Sequence, residues 1–244
     1  MSEEIIVVLG TYNRLGALKE AIGSIRETLK DHLDMIAISD GGSKDGSREW
    51  LLEQRKDIAS FFFEGPLTGA VKAFNQGFAW AVCQGAPYVM HFNDDAILEG
   101  DIEDALDVLD NSPSVGEVAF AFDLWTPGSF HHDHINGVPY ANYGLIRREA
   151  GIAVAKAQGD DQGLNWWDPS YFTYAADTQF GVWLWKLGYR VHSIDSVRVR
   201  DLRIDDALRA NNSGERREAD SKLFWSRWRD ENLAQYLLKL EDKP

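Results

Sequence analysis

The 244-residue chain carries a single cysteine, Cys83, so no intramolecular disulfide can staple it. The apolar helical setting of that residue, Phe78-Ala79-Trp80-Ala81-Val82, predicts a packed side chain rather than a nucleophile. Positive charge is scarce as well. Lys and Arg number 25 against 39 Asp and Glu, a net charge of −14, which argues against nucleic acid or an anionic membrane surface as the main partner. No segment reaches the roughly 20 apolar residues that cross a bilayer. The acidic start Met1-Ser2-Glu3-Glu4 and the short run Ile5 to Leu9 do not read as a signal peptide, so a soluble, cytoplasmic protein is expected. Internal repeats, low-complexity tracts and linkers are lacking too. What remains is a globular composition, 44% hydrophobic and 12% aromatic, able to bury the core of one domain or of one domain with a subdomain.

Short β-branched runs alternate with longer amphipathic stretches through the first half. Ile5 to Leu9, Met35 to Ile38, Phe61 to Phe63 and Tyr88 to Phe92 read as strands; Leu15 to Leu29, Ser47 to Arg55 and Val71 to Val82 read as helices. Strand–helix alternation predicts a parallel sheet whose right-handed crossovers bring the segments after Leu9, Ile38 and Phe92 to one carboxyl edge. Beyond Gly100 a helix over Ile102 to Leu109 and a strand over Val118 to Phe122 precede an irregular stretch, Asp123 to Tyr143, of the length that usually binds something. Helices are expected over Leu145 to Ala157 and Thr178 to Leu187, and short strands over Arg190 to Ile194 and Val197 to Val199. From Glu215 to Leu240 the chain reads as a terminal helical region. Phe224, Trp228, Leu233, Tyr236, Leu237 and Leu240 fall there at roughly helical spacing and would pack on the sheet or on a second copy in a homodimer. Asp230, Glu231, Glu241 and Asp242 oppose a membrane-surface role for that region.

The chemistry gathers at the predicted carboxyl edge. Asp94-Asp95 follows the strand Tyr88 to Phe92, a place suited to a hard divalent cation, Mn²⁺ or Mg²⁺, that holds a diphosphate, or else to a solvated turn. Thr11, Asn13 and Arg14 follow the first strand with hydroxyl, amide and guanidinium groups fit for a base and phosphates, with helix capping by Asn13 as the alternative. Asp40 ends the second strand, where it closes an Asx-turn or accepts the imide proton of uracil or thymine. Lys72 and Asn75 open a helix after Gly69, where a cation and free amides favour a diphosphate, unless Lys72 is simply solvated. In the irregular region His131 and His134 suit an acceptor or its phosphate, because the spacing of Phe130-His131-His132-Asp133-His134 does not match zinc ligand pairs. Trp166 and Trp167 offer faces on which a sugar could stack, as could Trp183 and Trp185, although helical spacing favours the core for Trp183.

Taken in order, the segments Ile5 to Arg14, Ile38 to Gly46, Gly69 to Gly77, Phe92 to Asp95 and Ala176 to Val191 resemble the inverting GT-A-type nucleotide-sugar glycosyltransferases, family 2-like, over roughly residues 3 to 201. The resemblance implies a Rossmann-like three-layer α/β/α sandwich with a mostly parallel central sheet. It would comprise a GT-A domain over 1–214, with a nucleotide-binding half 1–100 and an acceptor-binding half 101–214, and a C-terminal helical extension over 215–244. It further implies transfer of a sugar from a nucleoside diphosphate sugar, UDP- or dTDP-linked, to a hydroxyl of a glycan, lipid-linked or small-molecule acceptor. Thr11, Asn13 and Asp40 match positions lining the base, and Lys72 lies near a basic diphosphate contact. Asn93-Asp94-Asp95 matches the Asp-X-Asp motif, with Asp95 as the direct metal ligand and Asp94 facing the nucleotide. Asp177 matches the carboxylate that deprotonates the acceptor, and Asp201 falls where a late His often serves the metal. Gly41, Asn93 and Ala176 depart from the pattern, each standing where an acid is common. Those losses suit a non-catalytic nucleotide-sugar binder; a sugar nucleotidyltransferase should carry a Gly-rich basic loop after strand one, which Gly10 to Arg14 lacks.

Overall fold

Alternation along the first strand already separates two cores. The computed structural model describes residues 5–124, 126–212 and 214–237. In β1 (Ile5–Thr11) the side chains of Ile5, Val7 and Leu9 enter one apolar cluster and those of Ile6 and Val8 the other, as a period of two demands of a strand covered on both faces. On the first face lie α1 (Leu15–Leu29), α2 (Ser47–Glu53) and α4 (Glu103–Asn111), whose buried residues include Leu18, Ile22 and Ile25, then Leu51, then Leu106 and Leu109. On the other lie α3 (Ala70–Gln84), α5 (Arg148–Ala157), α6 (Ala176–Leu187) and α8 (Glu215–Trp228). The three layers of an α/β/α sandwich result.

The central sheet has eight strands in the order β3-β2-β1-β4-β9-β6-β10-β5. Strands β1, β2 (Leu33–Asp40), β3 (Ile58–Phe62) and β4 (Tyr88–His91) run parallel, as do β6 (Val115–Phe122) and β10 (Arg190–Asp201). Two strands run against them: β9 (Gly144–Arg147), between β4 and β6, and β5 (Ala96–Gly100), at the edge beside β10. The order reverses between β2-β1 and β4. In open sheets such a switch point is where ligands bind, and Thr11, Asp40 and Asp94 all arrive at its carboxyl edge.

Several expectations change. Gly144 to Arg147 forms a strand rather than the first turn of the helix, which begins at Arg148. The two short strands after Gly188 are one strand, Arg190–Asp201, with a register shift between Ile194 and Arg198. The irregular stretch contains a hairpin, β7 (Asp133–Ile135) and β8 (Val138–Tyr140), turned by Asn136-Gly137 at φ 50° and 82°. A short helix, α7 (Ala207–Asn212), follows β10. Cys83 is exposed, because the buried stripe of α3 runs through Val71, Phe74, Phe78 and Ala81 and leaves position 83 on the outer face. Within the expected terminal helical region α8 ends at Trp228, a turn follows, and residues 235–237 are again helical. Phe224 and Trp228 enter the same cluster as α3 and α6, joined by Leu233 and Tyr236; Leu240 lies outside the described residues. Among the described residues no helix is long and apolar enough to cross a membrane.

Candidate active site

Acidic side chains from the ends of β4 and β10 and from the loop before α7 meet two guanidinium groups at the carboxyl edge. Thr11, at the end of β1, donates its hydroxyl to Asp94 Oδ2 at 2.8 Å and so bridges the switch point. Arg14 donates Nη1 to Asp94 Oδ1 at 3.0 Å and to Asp95 Oδ2 at 2.7 Å, while its Nε and Nη2 form a fork on Asp206 at 2.6 and 3.1 Å. Asp201, at the end of β10, pairs in register with Ala96 and so faces Asp95. Arg209 of α7 lies 3.5 Å from Asp95 and 3.4 Å from Asp201. Arg198 and Arg200 take no part: the first stacks over Phe130 and the second pairs with Glu99.

Burial governs the ionisation of this cluster. Asp94 is enclosed, and loss of hydration pushes its carboxyl up to about 6; Arg14 pulls it down and Asp95 pushes it up further. Asp201 is raised for the same first reason. Burial alone would lower the Arg14 guanidinium, but Asp206, Asp94 and Asp95 outweigh it and hold the group firmly protonated. Neither Arg209 nor Asp206 carries a sequence motif, which is why the pattern Asp94-Asp95 by itself does not disclose its partners.

The loops beside the cluster are locked together. Asn13, at φ 52°, accepts the Lys44 N–H at 2.7 Å on its side-chain oxygen and donates its own N–H to Ser43 Oγ at 2.8 Å. Asp40 has no exposed surface, and its carboxylate accepts the N–H groups of Ser43 and Gly42 at 3.2 and 3.3 Å, an Asx-turn that fixes the loop after β2. Lys72 is exposed near the start of α3, with its ammonium 5.5 Å from the Phe63 ring centroid.

Three predicted ligand contacts turn inward instead. Asn75 is buried and uses both ends of its amide on the backbone of Trp167: its nitrogen donates to the carbonyl at 2.6 Å and its oxygen accepts the N–H at 3.0 Å. It belongs to the apolar stripe of α3 and cannot also reach a diphosphate. Trp166 has no exposed surface and stacks on Phe78 with centroids 4.8 Å apart. Trp167, 6% exposed, packs at 4.3 Å from Phe74. Both are core aromatics, so neither presents a face to a sugar. Trp185 is also buried, its indole N–H donating to the Pro139 carbonyl at 2.8 Å, and Trp183 packs edge-on against Trp228.

Asp177 stands in the first turn of α6, and Oδ1 accepts the Thr178 N–H at 2.7 Å. Ala175 precedes that turn in the left-handed region at φ 63°, a conformation costing of order 1 kcal/mol or more for a residue with a Cβ. Burial raises the Asp177 carboxyl; the Thr178 N–H and His91 oppose the rise, and Asp133 adds to it. Asp133, on β7, accepts the Tyr140 hydroxyl at 3.1 Å. The hairpin rests on the first turns of α6, where a methyl at Gly181 would lie 2.4 Å from Tyr140 Cβ. Beneath, His91 Nε2 lies 3.0 Å from Glu117 Oε1, and both residues are buried. His131 packs on Phe122 at 4.2 Å and its backbone bridges that strand end, whereas His134 is exposed on the hairpin. Tyr140, Asp133, His91 and Glu117 escape a reading of motifs; only the Asn136-Gly137 turn announces the hairpin that carries the first two.

Carboxylates gathered at the switch point of a mostly parallel sheet invite comparison with known folds. Structural likeness is found to residues 1–349 of TarS from S. aureus, at 14% identity and a TM-score of 0.60 over 80% of this chain and 60% of that one. The same TarS fragment in complex with UDP-GlcNAc aligns with a TM-score of 0.61 at 14% identity, over 85% of this chain and 61% of that one. The mannosyltransferase PcManGT from Pyrobaculum calidifontis, in complex with GDP-Man and Mn²⁺, aligns at 17% identity with a TM-score of 0.57, over 98% of this chain and 73% of that one. This chain thus spans about three fifths of the TarS fragment. No curated protein matches in sequence. The sequence pattern of Glycosyl transferase family 2 matches residues 6–176, which takes in β1, the Asp40 loop, the acid pair and the entry to α6. With that match over most of its length, and with the GT-A sheet order about the acid pair, the chain belongs to glycosyl transferase family 2.

Proposed function

We propose that this family member transfers a sugar from a uridine or thymidine diphosphate sugar to an acceptor hydroxyl, with inversion at the anomeric carbon. The observation that carries the reading is the separation of two carboxylate sites. Asp94 and Asp95 lie at the switch point among cations, whereas Asp177 lies apart at the head of α6 with a raised, anion-averse carboxyl. Two roles need two environments. Arg14 and the exposed Lys72 suit the diphosphate, and Thr11, Asn13 and the loop that Asp40 fixes frame the base. Asp177 takes the proton of the acceptor hydroxyl as its oxygen bonds to the anomeric carbon. The bond from that carbon to the phosphate oxygen breaks, and its electron pair leaves with the diphosphate. The hairpin bearing His134 and Tyr140, with His131 behind it, forms the acceptor side.

A divalent cation, Mn²⁺ or Mg²⁺, fits the donor set. Asp95 and Asp201 offer hard oxygens on two sides of one guanidinium nitrogen, so the site already brackets a positive charge. Among the described residues no group of three His, Cys, Asp or Glu side chains is placed to hold a metal ion by itself, so diphosphate oxygens would complete the shell. When bound, such an ion offsets the charge that builds on the departing diphosphate. Arg14 and Arg209 must then turn from the carboxylates toward the phosphates. The mannosyltransferase in complex with GDP-Man and Mn²⁺ and TarS in complex with UDP-GlcNAc support a nucleotide-sugar donor.

A second reading, a binder without turnover, draws on Gly41, Asn93 and Ala176, which stand where acids are common. Incubation with a panel of nucleoside diphosphate sugars, with water or added polyols as acceptor, separates the two. Transfer predicts metal-stimulated release of nucleoside diphosphate; tight donor binding with no release under any condition favours the binder.

A further inference from the structure

The loop that delivers Asp177 is held from outside the family-matched stretch. The family pattern ends at residue 176, and α8 begins at Glu215. From α8 the buried Asp220, 4% exposed, accepts three consecutive backbone N–H groups: Phe172 at 3.0 Å on one oxygen, Thr173 and Tyr174 at 2.9 Å on the other. A carboxylate that gathers three amides makes charge-assisted bonds and satisfies backbone donors that need a partner once buried. Arg216 stacks over the Phe172 ring at 4.1 Å and Arg217 over the Tyr174 ring at 5.5 Å, so one helix grips the loop by backbone and side chain together.

The same three residues touch both halves of the site. On the donor side, Phe172 accepts the Val71 N–H of α3 at 3.3 Å on its carbonyl. Gly69, at φ 93°, passes so close that a Cβ there would lie 2.3 Å from that carbonyl. On the other side, Tyr174 leads through the left-handed Ala175 straight into the turn that carries Asp177. A second grip steadies that turn. Gln179 of α6 accepts from Trp228 Nε1 at 3.2 Å and from Arg227 at 3.1 Å. Resting on the reading of Asp177 as base, we infer that Asp220 is a positioning residue: it clamps the 172–174 backbone between α3 and α6 and so sets the Asp177 carboxylate relative to the bound donor.

A base must stand within hydrogen-bond reach of its proton, and a displacement of about 1 Å can cost on the order of 100-fold in rate. Asp220→Asn keeps the size of the side chain but turns an amide N–H₂ toward at least one of three donors. Asp220→Glu keeps the charge and misplaces it. In the full chain, amide exchange at 172–174 should accelerate at least about 10-fold in Asp220→Asn while the rest of α8 stays protected. The kcat for nucleotide-sugar turnover should fall about 10- to 100-fold, with donor KM and nucleoside diphosphate affinity within about 3-fold. Asp220→Glu should show both effects to a smaller degree. A residue that merely anchors α8 would lower the melting temperature and leave kcat unchanged. Unchanged protection at 172–174, or an unchanged kcat in a folded variant whose loop has loosened, overturns the inference. Asp177→Asn, run beside it, isolates the other failure: full turnover there refutes the base, while the exchange data still decide whether Asp220 holds the loop.

Discussion

Replacing Arg14 with methionine removes the cation that holds Asp94, Asp95 and Asp206 together at the switch point. Its guanidinium is 8% exposed and contacts Asp94, Asp95 and Asp206 at 3.0, 2.7 and 2.6 Å. The Asp94 and Asp95 side chains are themselves 5% and 10% exposed, so methionine would leave two enclosed carboxylates facing each other. Removing one partner of a buried ion pair costs about 3–5 kcal/mol, chiefly because the remaining charge stays out of water. Two features reduce that figure. Arg209 still reaches Asp95 at 3.5 Å, and Asp206, 24% exposed, regains solvent. The expected loss is therefore about 2–4 kcal/mol of unfolding free energy, or a midpoint lower by about 4–16 °C in a chain of this size. Urea unfolding of parent and variant with a common m-value measures it. Arg14→Lys keeps the charge without the fork and should recover only part of the loss. A cost below about 1 kcal/mol, the worth of an exposed pair, would refute the picture of Arg14 as the buried counter-charge of both carboxylates.

Three further outcomes follow from the same geometry. Asp40→Asn should cost about 1–3 kcal/mol of stability, because the carboxylate accepts the Ser43 and Gly42 amides with no exposed surface of its own. If that carboxylate also meets the imide N–H of a base, uridine diphosphate should bind more tightly than cytidine diphosphate, and equal affinities would exclude the contact. Calorimetric titration should find Mn²⁺ binding weak in the free protein and stronger with a nucleoside diphosphate present. Asp95→Ala and Asp201→Ala should each erase that coupling, with partial retention in Asp201→His, whereas coupling intact in both alanine variants removes the two residues from the metal site. Burial raises the Asp177 carboxyl, so turnover should fall with falling pH through a value above the ordinary 3.8 of an aspartate. The folded state keeps that proton where the unfolded chain has released it, so stability should decrease as pH rises through the same window. Asp177→Asn should flatten this slope, and a rate limb at or below 3.8 would contradict the burial argument.

Legibility in the sequence follows physical lines. The helix Leu15–Leu29 is bounded to the residue by its apolar period, and the parallel strands β1, β2 and β4 follow from β-branched runs separated by amphipathic helices. Their crossovers dictate that Thr11, Asp40 and Asp94 share an edge. Strand β9 resists such reading, because Gly144-Leu145-Ile146-Arg147 runs into α5 without a break and four residues are too few to tell a period of two from one of 3.6. Asn75 shows the reverse: the period of α3 places it with Val71 and Phe78 inside, while its chemistry suggests a ligand, and the period wins because Trp167 satisfies its amide. Trp166 and Trp167 adjoin no periodic element, so nothing in the sequence separates a stacking face from a core ring. The cations Arg14 and Arg209 meet their acids across 80 and 8 residues, and Asp220 meets its loop across nearly 50. Such contacts depend on tertiary placement alone.

One variant, measured two ways, decides whether Asp177 is the base of a glycosyl transfer. Asp177→Asn keeps the shape of the side chain and an oxygen able to accept the Thr178 N–H, but it cannot take a proton. With a nucleotide sugar that the parent protein consumes, kcat should fall by about 10² to 10⁴ while the dissociation constant of the donor stays within a few-fold. A folded Asp177→Asn protein that transfers sugar at the parent's rate would mean that Asp177 is not the base.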